Sequence, residues 1–128
     1  MSYTKGTRYV TEPEGGGENQ LVFREIQTPA YGTSVKITTK DARSEIVKIL
    51  FAQITGAMTI TADVVNPFDG DEMVIKMPMD STGRTVTLST GFTTTAATIV
   101  GTANSICIMY FMFDAQSITW VETARAIN

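Results

Sequence analysis

The residues with the plainest capacity for chemistry are the carboxylates gathered at Asp69, Asp71 and Glu72. A calcium loop needs oxygen ligands at alternating positions up to a bidentate Glu at the twelfth, and that spacing is missing. The cluster reads as an acidic turn facing water. Asp63, Asp69, Asp71, Asp80, Asp114 and Glu122 fall in expected turns or at strand ends, so no pair stands out as the two carboxylates of a glycoside-cleaving cleft. Serine and threonine are plentiful, but the chain has no histidine to activate them. Nothing selects Lys36, Lys48 or Lys76 as a substitute base. Gly15, Gly16 and Gly17 lack the preceding strand, the following helix and the Lys-Ser/Thr pair of a phosphate-binding loop. Cys107, between Ile106 and Ile108, reads as a small buried hydrophobe, and a single cysteine cannot form an internal disulfide. The expectation is a non-enzymatic chain, with no catalytic residue, no cofactor and no metal.

The elements that would position these groups are short and extended. The 128 residues are 43% hydrophobic and 18% charged with a formal net charge of -3, enough for one domain with an ordinary core. No basic run offers a footprint for nucleic acid. The polar N-terminus has no apolar stretch of signal-peptide length. The longest apolar run, Ile106 to Phe113, is far below the roughly 20 residues of a membrane helix, so no membrane association is expected.

Residues 1–20 read as an extended arm, mixing Tyr3, Arg8, Tyr9 and Val10 with acidic residues and the glycine triplet; residues 21–128 read as the domain. The arm has too little apolar surface to order by itself, so it reads either as a flexible terminus or, as its tyrosines suit, as a tether that orders against a neighbouring chain. From Leu21 onward β-branched runs alternate with Gly, Pro, Asp and Asn. Val35, Ile37 and Thr39 share one side of a strand. Met58, Ile60, Ala62 and Val64 share a side of another. The stretch 41–54 fits a capped helix or a strand; the strand reading, with Val47, Ile49 and Phe51 inward, is preferred. Asn66 to Asp71 makes a turn. Glu72 to Met79 then pairs with Arg84 to Leu88 through a hairpin at Asp80-Ser81-Thr82-Gly83. Residues 89–105 form a long Thr-rich loop with one short strand, and Ile106 to Phe113 with Ser117 to Glu122 closes the domain as a hairpin. The expected fold is all-β, a compact sandwich or jelly-roll-like domain of seven or eight short antiparallel strands.

Two strands carry more apolar surface than a half-buried position needs. In Ile106 to Phe113 both faces are apolar, as in strands covered on two sides. Tyr110, Phe111, Phe113 and Trp120 could instead form a stacking platform, though aromatics at such positions are mainly core. Met73, Ile75, Met77 and Met79 share one face of their strand, and Pro78 marks an edge or an end. Methionine and aromatics are enriched at oligomer interfaces, so Met73, Ile75, Met77, Met79, Tyr110 and Met112 are the expected subunit contact.

The succession from Ile46 to Glu122 resembles small β domains of tailed-bacteriophage virion proteins, capsid-attached proteins and fibre modules. The resemblance rests on Ile54-Thr55-Gly56-Ala57-Met58-Thr59-Ile60, the turn Asn66-Pro67-Phe68-Asp69-Gly70-Asp71, the stretch Asp80 to Thr87 with Gly91-Phe92, and the apolar strand running through an Asp turn to Trp120. It covers about three fifths of the chain, and its motifs are turn chemistry. Fibre modules usually end long chains, whereas this sequence opens with its own Met and a short arm, which favours a capsid decoration or cement protein. That resemblance implies a virion protein made in the host cytoplasm and bound to the capsid surface. It would act as a symmetric homo-oligomer, with a trimer favoured, holding the major capsid protein through Tyr3, Arg8, Tyr9 and Val10. The alternative it implies is a head or tail fibre module reading a host carbohydrate or receptor.

Overall fold

The computed structural model describes residues 24–39 and 45–127, and among them there is no helix. Ten strands follow one another: β1 (Arg24–Gln27), β2 (Ser34–Ile37), β3 (Ile46–Leu50), β4 (Met58–Ala62) and β5 (Glu72–Pro78), then β6 (Thr85–Leu88), β7 (Phe92–Thr93), β8 (Thr98–Val100), β9 (Ile106–Asp114) and β10 (Thr119–Ile127). They form a six-stranded sheet of order β1-β3-β5-β9-β10-β7 and a four-stranded sheet of order β2-β4-β6-β8.

From β1 to β6 the chain enters the two sheets alternately, so each odd strand stacks on the odd strand before it. Arg24 to Gln27 pair in parallel with Ile46 to Ile49, and Ile46 to Leu50 with Glu72 to Lys76. In the other sheet Ser34 to Ile37 pair in parallel with Thr59 to Ala62, and Met58 to Ile60 with Val86 to Leu88. This is a solenoid-like winding, and it corrects the expectation of uniformly antiparallel strands. Antiparallel pairing is confined to β6 with β8, β5 with β9 and β9 with β10. The expected hairpin between β5 and β6 is also absent, because the two strands belong to different sheets. Asp80 instead makes a corner: its carboxylate accepts from the Thr82 amide at 3.0 Å and from Arg84 Nη2 at 2.7 Å, turning the chain across to the second sheet.

The alternation read from the sequence sets which side chains go inside. Ile37, Val47, Ile49, Ile60, Met73, Ile75, Met77, Val86, Ile99 and Trp120 are all buried, and they join both sheets in one core. The strand reading of Ile46 to Phe51 holds, with Val47, Ile49 and Phe51 inward. Pro78 ends β5 in the middle of its sheet, where the missing N–H falls at the last rung. The Thr-rich stretch supplies two short strands, one to each sheet. Gly91 joins them to β6 with φ +94°, and a Cβ there would collide with the carbonyl oxygen of Ala62, so glycine is required on two counts.

Candidate interaction surface

Most of the carboxylates singled out for chemistry are held by structural partners. Asp71 is buried and its Oδ2 accepts from the Phe68 amide at 2.8 Å, while Asp69 Oδ1 accepts from the Ala115 amide at 3.0 Å, tying the acidic turn to the terminal hairpin. Glu72 faces out at the start of β5. No group of three acidic or cysteine side chains converges among the described residues. Asp63 accepts from the Val65 amide, and Asp114 from the amides of Gln116 and Ser117. The hydrogen bond from Ser117 holds the Asp114 carboxyl below its ordinary range. Arg84 does the same for Asp80. Cys107 is fully buried, and burial pushes its thiol up, away from the reactive thiolate.

The best-developed polar arrangement is a clamp at the end of the six-stranded sheet. Arg125 Nε and Nη2 donate to the two Glu122 oxygens at 2.6 and 2.8 Å. The same guanidinium reaches the carbonyls of Thr98 and Ala96 at 3.2 and 2.8 Å, and the Thr95 amide donates to Glu122. The ion pair therefore straps the β7–β8 connection onto β10, and Arg125 holds the Glu122 carboxyl below its usual range. Both carboxylate oxygens are thus engaged in holding this connection.

The expected interface residues separate into two groups. Met73, Ile75 and Met77 on the inner face of β5, and Met79 just past its end, are sealed by the chain's own second sheet, so they have no surface to offer a sister chain. Tyr110 and Met112 lie on the opposite side of the sheet and remain 41% and 44% exposed. The stacking platform does not form: Phe111, Phe113 and Trp120 are buried, with Phe113 and Trp120 edge to face at 5.2 Å between centroids. Tyr3, Arg8, Tyr9 and Val10 lie outside the described residues.

Around Tyr110 and Met112 the outer face of the six-stranded sheet forms an apolar field. The β5–β9 and β9–β10 registers arrange it in rows across the strands. Glu72, Met112 and Val121 make one row; Val74, Tyr110 and Ala124 the next; Lys76, Ile108 and Ala126 the third; and Pro78 with Ile106 ends the field. β3 extends the first three rows with Ile46, Lys48 and Leu50. Two open depressions flank Met112, one bordered by Asp69, Asp114 and Val121, the other by Glu72, Val74 and Tyr110, with Thr123 at the β10 register shift touching both. Neither is enclosed enough for a small-molecule pocket.

The sequence pointed to half of this field, because β9 is visibly apolar on both sides. Val74, Val121, Ala124 and Ala126 were not legible as members, since Glu72 and Lys76 make the outer side of β5 look wet and β10 reads as mixed. Only the cross-strand register shows that these residues adjoin Tyr110. Compared with known proteins, the chain matches no family model and no curated sequence.

Proposed function

We propose that this chain is a non-enzymatic structural subunit of a tailed-phage virion, binding the assembled capsid as a symmetric oligomer in a decoration or cement role. The observation that carries the reading is the wide apolar face around Tyr110 and Met112, exposed on a body in which Asp80 and Glu122 are engaged in a turn and a clamp. Such a face belongs against another protein. Two sheets closing on one core, in the manner of a sandwich, give the rigid bulk that a shell component needs, and the turn motifs from Ile46 to Glu122 supply the resemblance to virion proteins.

The partner in this reading is the major capsid protein, contacted through residues 1–20. Each oligomer bridges several shell subunits, so its affinity for the assembled lattice exceeds that for a free subunit by multivalency. Co-sedimentation with purified empty capsids of the phage that carries the gene tests this. Saturable binding at a fixed copy number per capsid, lost on deleting residues 1–20 while the far-ultraviolet spectrum stays unchanged, is the expected result. No pelleting with capsids, together with saturable binding on a glycan array, would replace the decoration role with that of a host-reading fibre module.

A further inference from the structure

The rows of the outer face are self-complementary, and from this we infer that two copies pack face to face across a two-fold axis lying in the contact plane and crossing the strands at the Val74–Tyr110–Ala124 row. It deepens the oligomeric reading above by naming the contact.

The argument is geometric. A two-fold axis of this kind lays each strand antiparallel on its own copy and exchanges the rows above and below the axis. The row Glu72–Met112–Val121 then faces Lys76–Ile108–Ala126 of the second copy, and the reverse. The negative end of β5 meets the positive end, and the large Met112 and Val121 meet Ile108 and the small Ala126. Ile46 meets Leu50 on the flank, and Tyr110 with Val74 packs on its own counterpart across the axis. Neither Glu72 nor Lys76 has an ion-pair partner among the described residues, and four positions along a strand put them roughly 13 Å apart, too far to satisfy one another. An axis running along β9 instead would lay Glu72 over Val121 and Lys76 over Ala126, burying both charges unpaired, which is costly. Among the charged side chains of these rows, Lys48 alone meets its own counterpart. It is exposed on β3 beside Ile26 of β1, and its long stem can carry the ammonium out of the contact into water. Packed sheets stand about 10 Å apart, a spacing that Tyr110 and Met112 can fill from both sides.

Self-complementarity of this kind has no use against an unrelated shell protein, whose own charges would set the pattern. It selects a second copy as the occupant. The arrangement also leaves the four-stranded sheet and both outer edges of the solenoid free for the capsid.

The test is charge reversal read by sedimentation equilibrium on the full chain. The wild type is expected at twice its 13.9 kDa chain mass at micromolar concentration. E72K and K76E each place two like-charged pairs in the contact, and each is expected to weaken association by about tenfold or more. An equimolar mixture of E72K and K76E restores the dimer, because every pair is then opposite in sign, and so does the double reversal in one chain. Both positions are exposed, so folding is not at stake, and far-ultraviolet circular dichroism verifies it. A monomer at ~100 μM overturns the inference, as does a dimer indifferent to both reversals. A trimer overturns the two-fold contact while leaving the oligomeric virion subunit standing; failure to bind capsids by a chain that dimerises as described overturns the virion role and leaves the contact intact.

Discussion

Cys107, Met109, Phe111 and Phe113 on one side of β9 are sealed between the two sheets, whereas Ile106, Ile108, Tyr110 and Met112 on the other side look outward from the same nine residues. Both sides have the side chains of a core. What differs is whether this chain itself provides the cover. The inner side receives Phe92 from β7, whose ring lies 4.9 Å from that of Phe111, together with the inner faces of β4, β6 and β8. The outer side receives nothing from the described residues. An apolar surface is thus a demand for a partner, and among the described residues that demand is met once internally and left open once.

The comparison is broken most forcefully at Phe111. Truncation to alanine removes a ring with 2% exposure from the junction of both sheets, and the expected loss is about 3–5 kcal/mol, read as the shift in urea midpoint at constant slope. Tyr110→Ala, one residue along and facing the other way, is expected to cost the isolated chain less than about 1 kcal/mol. Equal losses at the two positions would mean that Tyr110 is enclosed and that the outer side already has its cover.

Next in size is the clamp. Arg125→Met leaves the Glu122 carboxylate, only 5% exposed in its side chain, without its cation, and the expected cost is about 1–3 kcal/mol after allowance for the partly exposed guanidinium. Because Arg125 lowers the Glu122 carboxyl, the pair's contribution is fully present above the unfolded value of about 4.5 and disappears as pH falls through the lowered folded value. Asp80 and Asp114 are shifted in the same direction. Urea midpoints of the wild type are therefore expected to be flat from pH 7 to about 5 and to fall below that, with a shallower fall in Arg125→Met. A wild type that gains stability on acidification would contradict the clamp.

The inner side of this contrast is largely legible in the sequence. Period-two runs such as Met58, Ile60 and Ala62 place core residues because successive strand side chains point oppositely, whatever the partner strand. They do not say which strand lies alongside. Alternation is identical for parallel and antiparallel neighbours, so the winding from β1 to β6 left no mark in the pattern. The turn at Asp80-Ser81-Thr82-Gly83 has the composition of a hairpin connection, and besides the local Asp80 bonds its corner geometry involves a long-range contact: a Cβ on Gly83, just before β6, would strike the carbonyl of Gly101, just after β8. For the same reason the pattern assigns Met73, Ile75, Met77 and Met79 to a subunit contact, whereas they lie in the core. A core and a subunit contact ask for the same residues, and only the position of the second sheet decides between them.

Ile118 sharpens the contrast at the hairpin tip. Its φ of +58° is a conformation that β-branched residues avoid, and its side chain is 55% exposed, so neither backbone nor burial favours isoleucine there. Its amide closes the turn onto the Asp114 carbonyl at 2.8 Å, which fixes that conformation. Ile118→Gly is expected to raise stability by about 0.5–1 kcal/mol, the relief of left-handed strain less the extra flexibility of unfolded glycine. Thermal unfolding measures it; a loss of stability would show that the exposed side chain packs on something after all.

The smallest effect on the isolated fold, and the most informative, belongs to Met112. It stands between two open depressions on the outer face, and Met112→Ser removes apolar surface that the monomer never buries well. At a protein concentration low enough to keep the chain monomeric, the urea midpoint is expected to move by no more than about 0.5 kcal/mol equivalent. At high concentration the wild type gains stability by mass action from its partner and the variant does not, so the two midpoints separate as concentration rises. That divergence distinguishes a face awaiting a second molecule from one that is merely greasy, because a surface with no partner gives two parallel, concentration-independent curves.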